Sequence, residues 1–110
     1  MKFSIIVGLL AVATSATTPA AAYVGYGLGK VTLIEVTYMP NSINVRLDTA
    51  IAGCAAGAWL AWLPYGSTQS QKDQNAQAVL ATLLTAKVSG QQVQAFVKNA
   101  GCQIEYLYLS

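Results

Sequence analysis

The chain has 110 residues, of which only 9% are charged, and a formal net charge of +2 whose cations are scattered singly. That balance excludes nucleic-acid recognition of the usual electrostatic kind, which needs a clustered basic patch. Histidine is absent, which removes the base of a Ser or Cys triad; with only two cysteines a zinc site has too few ligands, so neither metal nor cofactor is expected.

The first residues have the layout of a secretory signal peptide. Lys2 supplies a short positive region, Ile5 to Val12 an apolar one, and Ala20-Ala21-Ala22 a small-x-small cleavage site. Ser15, Thr17, Thr18 and Pro19 end the apolar run short of the roughly 20 residues that a membrane span needs. Cleavage is expected after Ala22, leaving residues 23–110 as one small secreted or periplasmic domain. In that domain Lys30, Arg46, Lys72, Lys87 and Lys98 against Glu35, Asp48, Asp73 and Glu105 leave +1. In an exported chain the even cysteine count argues for a Cys54–Cys102 disulfide, worth about 4 kcal/mol for so long a loop.

Gly25, Gly27 and Gly29 punctuate a flexible start, after which residues 30–38 (KVTLIEVTY) are β-branched and aromatic enough for a central strand, apolar on both faces. Met39-Pro40-Asn41-Ser42 has turn chemistry. The chain then resumes with Ile43, Val45 and Leu47 alternating with Asn44, Arg46 and Asp48, a second strand with one wet face.

Residues 51–64 (IAGCAAGAWLAWLP) contain no charge. Fourteen such positions are too few for a span, and Gly53 and Gly57 break the run. IAGCAAG reads as a tight connection pinned by Cys54, and residues 58–63 (AWLAWL) as a strand covered on both faces, closed by Pro64-Tyr65-Gly66.

Residues 70–89 form the one convincing helix: Ser70 and Asp73 make an S-x-x-D capping signal, Gly90 sits where a C′ residue belongs, and Ala76, Val79, Leu80, Leu83 and Leu84 make a helical stripe. The opposite face carries Gln71, Gln74, Asn75, Ala78, Thr82 and Thr85, with little of the Lys and Glu of solvated helices. It is either plain surface or a contact with another copy of the chain, in which case Gln74, Ala78, Thr82 and Thr85 lie in the interface. After the helix, residues 91–98 (QQVQAFVK) turn Val93, Ala95 and Val97 inward, Asn99-Ala100-Gly101 reverse the chain, and residues 104–109 (IEYLYL) make a last strand.

The resulting order is three strands, a helix and two strands: mainly β with one helix, the order of a small five-stranded OB-fold-like barrel with its helix between strands 3 and 4. Residues 70–109, through Ser70-Gln71-Lys72, Ala86-Lys87-Val88 and the V-x-x-F-V strand ending at Phe96-Val97, resemble the helix and final hairpin of B subunits of bacterial AB-type toxins, cholera-toxin-like and subtilase-cytotoxin-like. The resemblance implies a secreted homo-oligomer, a pentamer with helices lining its centre, barrels that bind cell-surface glycans, and a separate catalytic A chain. The chain departs from that family in placing Cys102 in a turn and in its Gly-rich first segment, and no glycan-contacting residue carries over by motif.

Catalysis is not expected. GYGLG at residues 25–29 precedes a strand, the wrong order for dinucleotide binding, and Glu35 and Glu105, the carboxylates to consider for glycoside hydrolysis, lie mid-strand where water or a cation explains them better. Trp59, Trp62 and Tyr65 are the candidates for ligand binding, because indole and phenol rings stack on the apolar faces of sugars. Three apart on a strand, Trp59 and Trp62 point to opposite faces, so one fills the core and the other lies in an interface or site. Tyr106 and Tyr108 share the face of Ile104 and belong inside the barrel. The sequence therefore predicts a non-catalytic binding module recognising glycans multivalently, the alternative being a structural or inhibitory protein that holds a protein partner.

Overall fold

The computed structural model describes residues 25–98 and 101–110. The expected signal peptide, residues 1–22, and Asn99-Ala100 of the expected turn lie outside the described residues. Among the described residues five strands and one helix follow one another as β1 (Gly25–Glu35), β2 (Ile43–Leu47), β3 (Leu60–Trp62), α1 (Gln69–Ser89), β4 (Gln92–Val97) and β5 (Gln103–Leu109). The sheet closes on itself in the order β1-β2-β3-β5-β4. All neighbours are antiparallel except β3 and β5, which run parallel at Ala61 and Trp62 against Gln103 and Ile104.

Strand alternation fills the interior. Ile43, Val45 and Leu47 of β2, Leu60 and Trp62 of β3, Val93, Ala95 and Val97 of β4 and Ile104 of β5 are buried, as period-two patterning requires. Among the described residues no polar or charged residue is buried with them. The helix closes this core from outside with Ala76, Val79, Leu83 and Ala86, packed against β1, β4 and β5. Leu80 is partly buried at its edge, while Leu84, expected in the apolar stripe, faces solvent.

The glycine-punctuated start is not a flexible leader but the first half of β1. Gly25, Gly27 and Gly29 turn toward the segment 49–52, and a Cβ on any of them would meet Ala52 Cβ at 2.7 Å, Ile51 Cδ1 at 2.9 Å or Thr49 Oγ1 at 2.7 Å. Glycine suits these positions because the side chains of Ala52, Ile51 and Thr49 occupy the space that a Cβ would need. β1 also ends earlier than its composition suggests. Val36, Thr37 and Tyr38 belong to a turn in which Val36 O accepts from Met39 N and Tyr38 O from Asn41 N, so their β-branched and aromatic character is overridden by the reversal of the chain.

The helix starts at Gln69, capped by Thr68 and not by Ser70: Thr68 Oγ1 accepts from Gln71 N, while Gln71 Oε1 accepts from Ser67 N. Asp73 is thereby left one turn inside the helix, accepting from Gln69 Nε2. At the other end Gly90 has φ 76° and donates to Ala86 O, the left-handed stop expected of it. The Cys54–Cys102 disulfide is formed, with Cα atoms 5.9 Å apart across a sequence separation of 48; it ties the 51–54 connection to the β4–β5 turn. No helix among the described residues is long and apolar enough to cross a membrane.

Candidate functional site

Trp59 and Trp62 point to opposite faces, and the structure decides which is which. Trp62 is only 6% exposed and donates its indole Nε1 to Asn75 Oδ1 at 2.9 Å. The same oxygen accepts from Tyr65 N at 3.0 Å, so one helix side chain holds both the strand and the segment leaving it. Asn75, expected on the open face of the helix, is thus turned inward. Tyr65 packs edge-on against Trp62, ring centroids 5.3 Å apart, and donates its hydroxyl to Glu105 O at 3.1 Å. Partial burial, reinforced by the neighbouring Glu105, pushes the Tyr65 phenol up to about 12. Trp62, a ligand candidate from its ring chemistry, lies in the core, with its ring packed against Tyr65 and its N–H donated to Asn75.

Trp59 is 40% exposed, on the outer side of β2 and β3. The Arg46 guanidinium stands 4.1 Å from its ring centroid, so one face of the indole is taken by a cation–π contact. Leu33 pairs with Arg46 across the strands and is also exposed.

A larger aromatic surface lies on the outer face of β1, β4 and β5. The register sets Tyr26 opposite Phe96, and Phe96 opposite Tyr106; cross-strand partners project to the same side. Tyr26 stacks on Phe96 with centroids 5.0 Å apart, and Tyr106 and Tyr108 meet Phe96 edge-on at 6.1 and 5.6 Å. Tyr26 and Tyr108 are 59% and 53% exposed. Leu28 and Tyr108 flank Gln94, and Lys30 faces Gln92, completing the same side.

Tyr106 and Tyr108 were expected inside with Ile104, and a bulge reverses them. Val97 pairs with Ile104 but Phe96 pairs with Tyr106, so Glu105 is the extra residue and every side chain after it changes face. Leu107 takes the inner side instead and packs on the core. Sequence reasoning also passed over Tyr26, inside the segment taken as flexible. The signal was there: Gly25, Gly27 and Gly29 alternate with Tyr26, Leu28 and Lys30, a period of two with no Cβ on one side and bulk on the other.

The two carboxylates considered for catalysis have structural partners. Glu35 Oε1 accepts from Asn44 Nδ2 at 2.9 Å, and Glu105 pairs with Lys98 Nζ at 3.0 Å. On the helix, Gln74, Ala78 and Thr85 are exposed and Thr82 half-buried, Thr82 Oγ1 donating to Ala78 O. Leu84 and Val88, the latter 87% exposed, extend this side toward the C-terminal end of the helix. Among the described residues the arrangement thus offers outward aromatic side chains around Trp59 and around Phe96, and a neutral helix side, for contacts. No family model, curated protein or solved structure matches the chain.

Proposed function

We propose that the chain is a secreted or periplasmic, non-catalytic binding module with an OB-fold, which recognises glycans through outward aromatic rings and presents them in several copies, as toxin B subunits do. The observation that carries this reading is the Tyr26–Phe96–Tyr106–Tyr108 cluster, whose rings pack on one another in register on the outside of the sheet. Rings held in this way bind flat apolar faces, such as those of sugars, at low entropic cost. The strand order β1-β2-β3-β5-β4, the parallel β3–β5 pairing and the helix between β3 and β4 support the OB-fold assignment. The disulfide fits an oxidising compartment.

Multivalency fits the helix. Its outer side carries Gln74, Ala78, Thr82 and Thr85 beside exposed Leu84 and Val88, and a ring of copies joined there multiplies individually weak sugar sites into avidity. The second reading, a module that holds a protein partner, is favoured by the same Leu84 and Val88, since exposed apolar residues on a helix also suit a protein surface.

A glycan array with the oxidised protein tests the leading reading. Binding is expected, and Tyr26→Ala together with Tyr106→Ala is expected to abolish it while far-UV circular dichroism stays unchanged. Silence on the array, with one protein co-purifying, replaces the glycan reading by the protein-partner one.

A further inference from the structure

We infer that the Cys54–Cys102 disulfide is a thiol-sensitive latch: reduction by an external dithiol releases residues 50–56 from the end of the barrel while the five-stranded sheet stays closed. The inference is independent of what the aromatic face binds. Both cysteines lie outside the strands, Cys54 in the connection between β2 and β3 and Cys102 in the turn between β4 and β5. With Ala52, Gly53, Lys98 and Gly101 they line an open cavity of about 440 Å³, large enough for a small thiol to enter. Cys102 is partly exposed and Cys54 is buried, so the Cys102 sulfur is the atom that an incoming thiolate reaches. The thiolate attacks that sulfur, the S–S bond breaks, and Cys54 leaves as a thiolate that takes a proton from water. The second thiol of the reductant then displaces Cys102 from the mixed disulfide, and the reductant is left as its own disulfide.

Two features make the segment depend on this bond. Ala52 and Cys102 have φ of 53° and 55°, left-handed values that a residue with a Cβ adopts at a cost and keeps only where its surroundings impose them. The disulfide holds Cys102 directly and stands two residues from Ala52. The second feature is how little else secures the segment. Ile51 and Cys54 bond each other, N to O in both directions at 2.9 Å, which ties the segment to itself and not to the sheet. Its links to the sheet stand at its ends, where Thr49 Oγ1 donates to Leu28 O at 2.7 Å and Gly57 N to Leu47 O at 2.9 Å. Between these anchors, among the described residues, no hydrogen bond joins the segment to a strand, and the disulfide acts together with the burial of Ile51. The strands pair with one another in the closed order β1-β2-β3-β5-β4 without it. What opens is therefore the end of the barrel where residues 49–52 lie against Gly25, Gly27 and Gly29.

The experiment treats the oxidised protein with dithiothreitol, without denaturant and in low urea, and follows free thiols together with amide hydrogen exchange. Reduction is expected at a rate proportional to dithiothreitol and insensitive to low urea. A rate that climbs with urea as steeply as global unfolding does means that the bond is reached only through the unfolded chain, and overturns the inference. In the reduced protein the amides of Ile51 and Cys54 should lose about tenfold or more of their protection, while those of the paired strands β2 and β4 keep theirs. Unchanged protection at Ile51 and Cys54 shows a bond with no hold on the segment, and loss across all the strands shows a staple of the whole fold; either result overturns the latch. Cys54→Ser combined with Cys102→Ser should reproduce the reduced pattern with no thiol present. A double variant as protected at Ile51 as the oxidised parent, or one that does not fold, overturns it too.

Discussion

Asn75 Oδ1 accepts from the Trp62 indole at 2.9 Å and from Tyr65 N at 3.0 Å, so one helix residue fixes the exit of β3. Replacing it by leucine keeps the volume and removes the acceptor, leaving an indole N–H buried without a partner; Asn75→Leu is expected to cost about 1–3 kcal/mol, read from urea unfolding. In a Trp62→Phe background the donor is gone as well, and the same substitution should cost clearly less. Equal costs in the two backgrounds contradict the assignment. Tyr65 gives a second prediction from the same corner. Its phenol is pushed up to about 12 from 10.0, by burial first and Glu105 second, so the folded chain holds this proton more tightly than the unfolded chain does. The associated stability is fully present below pH 10 and is lost as pH rises toward 12. Unfolding midpoints measured across that window should fall less steeply for Tyr65→Phe than for the parent protein.

The helix illustrates both what a local signal gives and where it stops. Thr68 Oγ1 accepts from Gln71 N at 3.1 Å, and Thr68→Ala is expected to lower stability by about 1 kcal/mol, while Ser70→Ala, at the position first read as the cap, should change little; a larger loss at Ser70 contradicts the observed cap. Two adjacent S/T-x-x-polar patterns, from Thr68 and from Ser70, are indistinguishable without knowing where the core begins. The element order and the buried set of β2 and β4 were legible, because Ile43-Val45-Leu47 and Val93-Ala95-Val97 alternate without interruption. The opposite orientation of Trp59 and Trp62 was legible for the same reason. The aromatic face was legible only in β1, where Gly25, Gly27 and Gly29 alternate with Tyr26, Leu28 and Lys30. It depends on a bulge at Glu105, a one-residue insertion that leaves no mark in composition, and on glycines in β1 whose purpose is the approach of the distant segment 49–52. Both are long-range facts that local propensity does not encode.

Assembly is where the proposed function becomes a property of the whole molecule. Val88 is 87% exposed and Leu84 47%, on a helix of 21 residues whose only charged side chains are Lys72, Asp73 and Lys87. An isolated valine on a surface needs no explanation, but a neutral helix side with two exposed aliphatic residues one turn apart suits burial against another copy. A chain produced from Tyr23, the residue after the expected cleavage site, is therefore expected to give, by light scattering under oxidising conditions, a mass several times that of one chain, close to five if the toxin-like ring is right. Val88→Lys should reduce that mass to one chain without changing the circular dichroism, because the side chain makes no contact the monomer needs. It should also lower apparent glycan affinity on a dense surface while leaving affinity for a free oligosaccharide intact, since only avidity depends on the number of copies. A parent protein that stays monomeric at high concentration removes multivalency but not the aromatic face, because the two rest on different sides of the molecule: one on α1, the other on β1, β4 and β5.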